Sequence, residues 1–208
     1  MSDISFTGGS RIGWVNATWP FAKLTVSANR LTLSSLGSYD FTPSQVVSIE
    51  RYGSIPLVSS GVRINHNRSD YPEKIVFWYL GSVAEVLAQI QQCGFVASGK
   101  IGTRASGFPI KWLVVIAVIA IWNVLFLLDG SFSSGAHKQP GGLAIVALLL
   151  LFGISTSVQA SPRIQRLVLR DGHQVGEIKA FLVLLQIVSG IMSLVFGIFA
   201  AAHVFSLT

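Results

Sequence analysis

The side chains best suited to catalysis or metal binding are few and widely separated in the sequence. The four histidines are His66, His137, His173 and His203. Their spacing places no two of them on one strand or one helix face, and the sequence contains no HExxH, GxSxG, Walker-type or dinucleotide-binding motif. Cys93 is the single cysteine, which excludes a disulfide framework and a cysteine-based zinc site. It follows an amphipathic pattern, and we interpret it as a small packing residue rather than a nucleophile.

One short segment does group titratable residues, namely Asp171, His173 and Glu177. An interfacial enzyme acting on lipid would have to use these groups. Asp171 followed by Gly172 is a favoured turn pair, however, and turn formation explains the segment more simply. We therefore predict that the protein is not an enzyme and holds no metal or cofactor.

Small side chains recur every four residues near the C-terminus, at Ser189, Ser193, Gly197 and Ala201. On a helix this spacing forms one face, along which a neighbouring helix can approach closely. The face is expected to pack either against another helix of the same chain or against a second protomer or other membrane protein. The latter alternative includes an accessory or pore-forming subunit of a small channel or transporter.

Basic residues cluster in two short segments, and we predict that they contact anionic lipid headgroups. They are Lys100, Arg104, Lys111, Arg163, Arg166 and Arg170. The second segment allows two interpretations, an amphipathic turn over 163–168 or a hairpin pairing 166–170 with 173–178, and the hairpin is slightly favoured. The basic excess in the N-terminal half is small and lacks a basic–aromatic array, so nucleic-acid binding is not expected.

The composition indicates which elements must position these residues. Of 208 residues, 51% are hydrophobic and 12% are charged, the mean hydropathy is +0.61, and the formal net charge is +6. Soluble domains carry about 25% charged residues, so this chain is expected to contact lipid. Three apolar runs, at about 110–128, 142–160 and 180–205, are long enough to span a bilayer as helices. Residues 111–208 are thus predicted to form a transmembrane domain.

The N-terminal half has a different pattern, with short strand-like runs separated by turn residues. The runs are 21–27, 30–35, 38–41, 46–52, 58–66 and 74–80. Ala22, Leu24 and Val26 alternate with polar residues, as expected for a sheet with one covered face. Ser82 and Glu85 form a capping-box pattern for a helix that Gly94 can end. The predicted fold class is an α+β membrane protein: an antiparallel β-sandwich or barrel over 1–95, capped by this helix, a Gly/Ser-rich basic linker over 96–110, and three transmembrane helices.

Charge in the short loops predicts the orientation. The 161–179 loop has a net charge of +2 and the 129–142 loop is neutral, and basic loops remain cytoplasmic. With three spans, the N-terminal domain is expected in the cytoplasm and the C-terminus outside, in a multi-pass protein of the inner or plasma membrane.

Several phrases of the N-terminal half resemble an uncharacterised bacterial family of pleckstrin-homology-like (PH-like) domains. They are Trp19–Leu24, Tyr39–Thr42 with Ile49–Tyr52, and Gly61–His66 leading to Lys74–Trp78. The resemblance covers about residues 5–95 and implies a cytoplasmic module that binds proteins or lipids and sometimes self-associates. Members that bind phosphoinositides carry paired basic residues on the first hairpin. Here Lys23 and Arg30 occupy that hairpin, but Thr32 stands where the second member of the pair would be.

These observations predict a non-enzymatic membrane protein with a PH-like interaction module. Its expected partners are the lipid bilayer and another membrane or cytoplasmic protein, or a second copy of the chain in a homo-oligomer.

Overall fold

The computed structural model describes residues 3–53, 60–102, 105, 107–132 and 141–206, without the side chains of 130–132 and 203–206. These residues form two compact units. The first contains the N-terminal sheet, the helix that follows it, and residues 172–181. The second contains the remaining helices, in residues 108–171 and from 182 onward.

The first unit is built on one antiparallel sheet of seven strands, curled into a half-barrel. The strands are β1 (Ile4–Ile12), β2 (Val15–Val26), β3 (Leu31–Ser34), β4 (Ser38–Phe41), β5 (Val46–Gly53), β6 (Ser60–His66) and β7 (Ile75–Tyr79). Their order is β4–β3–β2–β1–β7–β6–β5, so two meanders are joined by the β1–β7 pair. The predicted antiparallel N-terminal unit is confirmed, and β4 and β5 form the two edges of its sheet.

The alternation noted in the sequence corresponds to the buried face of the half-barrel. Ala22, Leu24 and Val26 are all buried, whereas Lys23 between them is exposed. The non-alternating run in β7 is also explained, because Ile75 to Phe77 are fully buried. Residues of β7 are therefore covered on both faces of the sheet.

β1 and the first part of β2 lie outside the predicted strand runs. Gly8 and Gly9 give this segment no alternating side-chain pattern, yet close backbone packing requires them. A Cβ on Gly9 would lie 2.7 Å from the Ala17 carbonyl oxygen, and one on Gly8 would overlap the Trp78 carbonyl oxygen. A strand that needs glycines for close contact with neighbouring backbone lacks the alternation of apolar and polar residues on which the prediction depended.

Helix α1 (Val83–Gln92) begins and ends as the sequence predicted. The Ser82 hydroxyl accepts a hydrogen bond from the Glu85 amide at 3.4 Å, and Gly94 follows the helix with φ +81°. Val83, Val86 and Ile90 are buried. This apolar stripe packs α1 against the half-barrel and positions the residues that follow the helix.

Three helices of the described residues are long and apolar enough to cross a membrane, and the third begins in the first unit and continues in the second. They are α2 (Trp112–Phe132), α3 (Gly142–Ala160) and α5 (Lys179–Ser206), and a short helix, α4 (Pro162–Val168), follows α3. The long helices coincide with the three predicted apolar runs, as expected for segments that lipid surrounds.

The predicted hairpin over 166–178 is wrong. Residues up to Val168 are helical, and Leu169 instead forms an antiparallel bridge with Ile110. Residues 171–172 do form a turn, with Gly172 at φ +82°, but Val175–Ile178 that follows is a 3₁₀ turn. Pro162 in the first turn of α4 favours helix in this segment, and the strand partner of Leu169 is distant in sequence.

Candidate interaction surfaces

A groove lies between the edge strand β5 and the C-terminal end of α1. It encloses about 310 Å³ and is lined by Ile49, Leu87, Ile90, Gln91, Phe95, Val96 and Ala97. Phe95 is buried, whereas Val96 is 70% exposed. The turn at Gly94 reverses the chain and places both residues beside β5. The sequence interpretation missed this groove because it ended the domain at residue 95 and assigned Val96 to the linker.

The chain after α1 donates backbone hydrogen bonds to the first residue of β5 and to the turn that precedes this strand. The Ser98 amide donates to the Pro43 carbonyl oxygen at 2.9 Å, and the Gly99 amide donates to the Val46 carbonyl oxygen at 2.8 Å. Within the described part of the chain, no strand pairs with this edge further along β5. β5 therefore presents backbone N–H and C=O groups that no described strand pairs with, beside a largely apolar groove.

A second, polar groove of about 470 Å³ lies beside β5 and β6. The Asn65 amide donates to the Ser48 hydroxyl at 2.8 Å, which donates to the Glu50 carboxylate at 2.6 Å. Arg63 also lines this groove, and its Nε is buried without a hydrogen-bond partner among the described residues. The groove thus combines a satisfied polar network with one guanidinium nitrogen that is not satisfied.

Three cations surround Tyr52 on the same sheet. The Lys74 ammonium lies 5.1 Å from the Tyr52 ring centroid. A hydrogen bond from Lys74 holds the pKa of Tyr52 below its ordinary value, and the charges of Arg11 and Arg63 act in the same direction.

The loop between β6 and β7 is fixed by Arg68. Its guanidinium pairs with Asp70, donates to the Asp40 carbonyl oxygen at 3.2 Å and lies 3.9 Å from the Tyr71 ring centroid. The hydrogen bond from Arg68 lowers the pKa of the Asp70 carboxyl. These contacts hold the loop in one conformation.

Residues 172–178, here called the returning segment, pack against this loop within the first unit. The Gln174 amide group donates to the Ser69 hydroxyl at 3.3 Å. A Cβ on Gly176 would overlap the Asp70 carbonyl oxygen, so only glycine fits there. The returning segment thus joins the half-barrel although it lies about 100 residues away in sequence.

The predicted group Asp171, His173 and Glu177 is only partly brought together. His173 Nδ1 lies 2.9 Å from Glu177 Oε2, and the two side chains are 3% and 15% exposed. Glu177 Oε1 accepts the Gln174 amide at 2.8 Å, while Asp171 is exposed. Both carboxylate oxygens of Glu177 are thus used to hold the turn, which supports the structural interpretation.

The predicted membrane-surface residues lie in both units. Arg163, Arg166 and Arg170 are exposed, and the Lys111 ammonium donates to the Arg166 carbonyl oxygen at 2.6 Å. The Ile110–Leu169 bridge brings the start of α2 beside the residues that follow α4. Four predicted residues are therefore at one end of the second unit. Lys100 is exposed in the first unit, and Arg104 lies outside the described residues.

The predicted small-residue face of α5 is covered at one end only. Ser189 is fully buried and its hydroxyl donates to the Leu185 carbonyl oxygen at 2.5 Å, and the Ser193 hydroxyl is buried without a partner among the described residues. By contrast, a Cβ on Gly197 would meet no described atom within 4 Å, and Ala201 is exposed. Among the described residues, close packing is thus limited to the N-terminal half of this face.

The two basic residues of the PH-like hairpin are both exposed. Lys23 lies on β2 opposite Ser34 of β3, and Arg30 lies in the turn between these strands. The Thr32 hydroxyl donates to the Asp40 carboxylate at 2.6 Å. An acidic side chain therefore occupies the position beside Thr32.

Comparison with known proteins gives no match to a protein-family model, a curated protein or a solved structure.

Proposed function

We propose that the chain is a non-enzymatic integral-membrane protein whose half-barrel is a PH-like module that binds an extended segment of another polypeptide. Support for the PH-like assignment comes from the strand order, with two antiparallel meanders and one helix after the last strand. The observation that carries the binding role is the free edge of β5 beside the groove at α1. An added strand gains backbone hydrogen bonds, and a neighbouring groove selects its side chains.

The chemistry of the groove favours an extended segment with apolar side chains. Ile49, Ile90 and Phe95 form its apolar wall, and the exposed Val96 offers further apolar area. The Gly99 amide already donates to the carbonyl oxygen of Val46, the first residue of this edge strand. A bound segment would extend along β5 the backbone hydrogen bonding that Gly99 begins at the start of this strand.

The charges on β5 favour a partner other than a second copy. Glu50 and Arg51 are adjacent and exposed near the centre of the edge. Two-fold antiparallel pairing centred on either residue places like charges directly opposite one another, which is destabilising. A different polypeptide avoids this repulsion.

We further propose that the module is cytoplasmic in an inner or plasma membrane protein, with the C-terminus outside. Lys111, Arg163, Arg166 and Arg170 lie at the end of the second unit where α2 begins. Basic residues beside a span favour the cytoplasmic side. These residues are also the proposed contacts with anionic headgroups.

The test is site-specific photo-crosslinking in intact cells, with a photoreactive amino acid at Val96 of the full-length chain. We expect a discrete adduct with another polypeptide. It should be lost in Leu87→Asp, which places a charge in the groove, and retained in Gln89→Asp, which lies on the exposed side of α1. The absence of an adduct, adducts only between copies of this chain, or an adduct unaffected by Leu87→Asp would each contradict the proposal.

The open half of the α5 face favours a second candidate function, an accessory subunit of a channel or transporter complex. Gly197 and Ala201 could accept a helix of a neighbouring protein. In crosslinking of native membranes, Gly197→Ile should remove the assembly while leaving the amount of protein unchanged. An assembly that persists in Gly197→Ile excludes this face as its interface.

A further inference from the structure

Three large aromatic side chains are highly exposed on the hairpin formed by β1 and β2. Trp14, Trp19 and Phe21 are 71%, 57% and 70% exposed. Gly8 pairs with Ala22 and Ser10 pairs with Ala17, so β2 has extra residues that bulge from the ladder between these pairs. The bulge interrupts the inward–outward alternation and displays Trp19 and Phe21 together with their neighbours.

No described strand covers this part of β2. β3 pairs only with Lys23 to Val26, which leaves the first part of β2 at the edge of the sheet. Pro20 lies within the bulge and has no amide hydrogen to donate to an added strand. The surface is therefore suited to contact through side chains rather than through strand addition.

The tip of the hairpin lies close to the start of α5. A Cβ on Gly13, in the β1–β2 turn, would lie 3.8 Å from the Glu177 carbonyl oxygen of the returning segment. Glu177 precedes Lys179, the first residue of α5, by only two positions, and two residues span at most about 7 Å. Because α5 is long and apolar enough to cross a membrane, the hairpin tip lies near the first residue of a candidate span.

The composition of the hairpin matches a bilayer surface. Tryptophan is enriched at the boundary between headgroups and acyl chains, where its apolar ring and polar N–H both find partners. Residues 4–26 contain Arg11 and Lys23 but no aspartate or glutamate. Cations near an anionic leaflet are attracted to its lipid headgroups.

We propose that the side chains of Trp14, Trp19 and Phe21 lie in the headgroup region of the membrane that holds the chain, and that they seat the half-barrel against it. This contact is separate from the β5 groove and does not depend on the proposed binding of a polypeptide. The two surfaces use different strands, so the half-barrel can contact the bilayer and a protein simultaneously.

Tryptophan fluorescence of the full-length protein in vesicles tests this proposal. The starting variant carries Trp112→Phe and Trp122→Phe, which removes the two tryptophans of α2 and leaves Trp14, Trp19 and Trp78. Vesicles of phosphatidylcholine and phosphatidylglycerol are prepared with and without bromine on the acyl chains. We expect brominated vesicles to quench the emission of this variant.

Further substitution of Trp14→Phe and Trp19→Phe should abolish that quenching, because Trp78 packs against Tyr52 with ring centroids 5.7 Å apart. The matched control, Trp78→Phe in the starting variant, should retain it. The proposal is wrong if brominated lipid does not quench the starting variant, or if quenching persists after both hairpin tryptophans are removed. Blue-shifted emission without bromine quenching would indicate that protein covers the hairpin, which also overturns the proposal.

Discussion

Substitution of Tyr39 by phenylalanine is expected to stabilise the protein, although it removes a polar group. Tyr39 is 2% exposed, and its hydroxyl is buried without a hydrogen-bond partner among the described residues. Its ring packs edge-to-face with Tyr71, with centroids 5.2 Å apart, and phenylalanine retains that contact. A buried unsatisfied polar group costs about 1–3 kcal/mol, so Tyr39→Phe should raise the free energy of unfolding at neutral pH by about 1 kcal/mol.

The same substitution should change the response to alkaline pH. Burial raises the pKa of Tyr39 to about 12. An unfolded tyrosine loses its proton near pH 10, so between pH 10 and 12 the unfolded chain binds fewer protons than the folded one and stability falls. At about 1.4 kcal/mol per pH unit, ionisation of Tyr39 lowers the free energy of unfolding by roughly 3 kcal/mol over this interval.

Urea unfolding of the full-length chain in detergent, followed by tryptophan fluorescence between pH 7 and 12, measures both effects. Tyr39→Phe should unfold at higher urea at pH 7 and should lose less stability above pH 10. The Tyr79→Phe control retains Tyr39 and should keep the full alkaline loss. Destabilisation of Tyr39→Phe by 1 kcal/mol or more at pH 7, or an alkaline loss equal to that of the parent, would refute the reasoning.

Three other expectations concern the half-barrel and its contacts. Gly176→Ala should lower the free energy of unfolding by about 1–3 kcal/mol, because the added Cβ would overlap the Asp70 backbone. The control Gly153→Ala should change it little, because no described atom lies within 4 Å of the added Cβ. Urea unfolding of the two variants measures the difference. The pKa of Asp70 is lowered by the neighbouring guanidinium, so its stabilising contribution is present above about pH 4 and is lost as the pH falls. Asp70→Asn should reduce the loss of stability at low pH in a stability–pH curve. An unchanged loss would show that other carboxyl groups cause it. Lys74→Met should raise the pKa of Tyr52, seen as a later tyrosinate absorbance change on alkaline titration; an unchanged curve would contradict the hydrogen bond.

The sequence predicted those elements whose signal is local. The three long helices follow from uninterrupted apolar composition, and α1 follows from its cap at Ser82 and its stop at Gly94. β1 was missed because glycines replace the alternating side chains, and the hairpin after Arg166 was wrong because Leu169 pairs with a residue 59 positions earlier. A local sequence pattern does not indicate which distant segment of backbone will pair with it.

The candidate surfaces follow the same rule. Arg163, Arg166 and Arg170 are exposed beside α4, and their contact with lipid headgroups stays a prediction. The β5 groove was not predicted because it depends on where Val96 returns after Gly94. The contact of Gly176 with Asp70 was not predicted either, because a glycine in the sequence does not indicate which distant atom lies against it.

The docking of the returning segment has a consequence for biogenesis. All seven strands are synthesised long before residue 172. The nascent N-terminal unit therefore lacks the returning segment until two hydrophobic helices, α2 and α3, have been synthesised. During that interval the loop around Asp70 is uncovered. The N-terminal unit is therefore completed only when the chain has reached the start of α5, and a chain that ends before residue 172 would lack the segment that covers this loop.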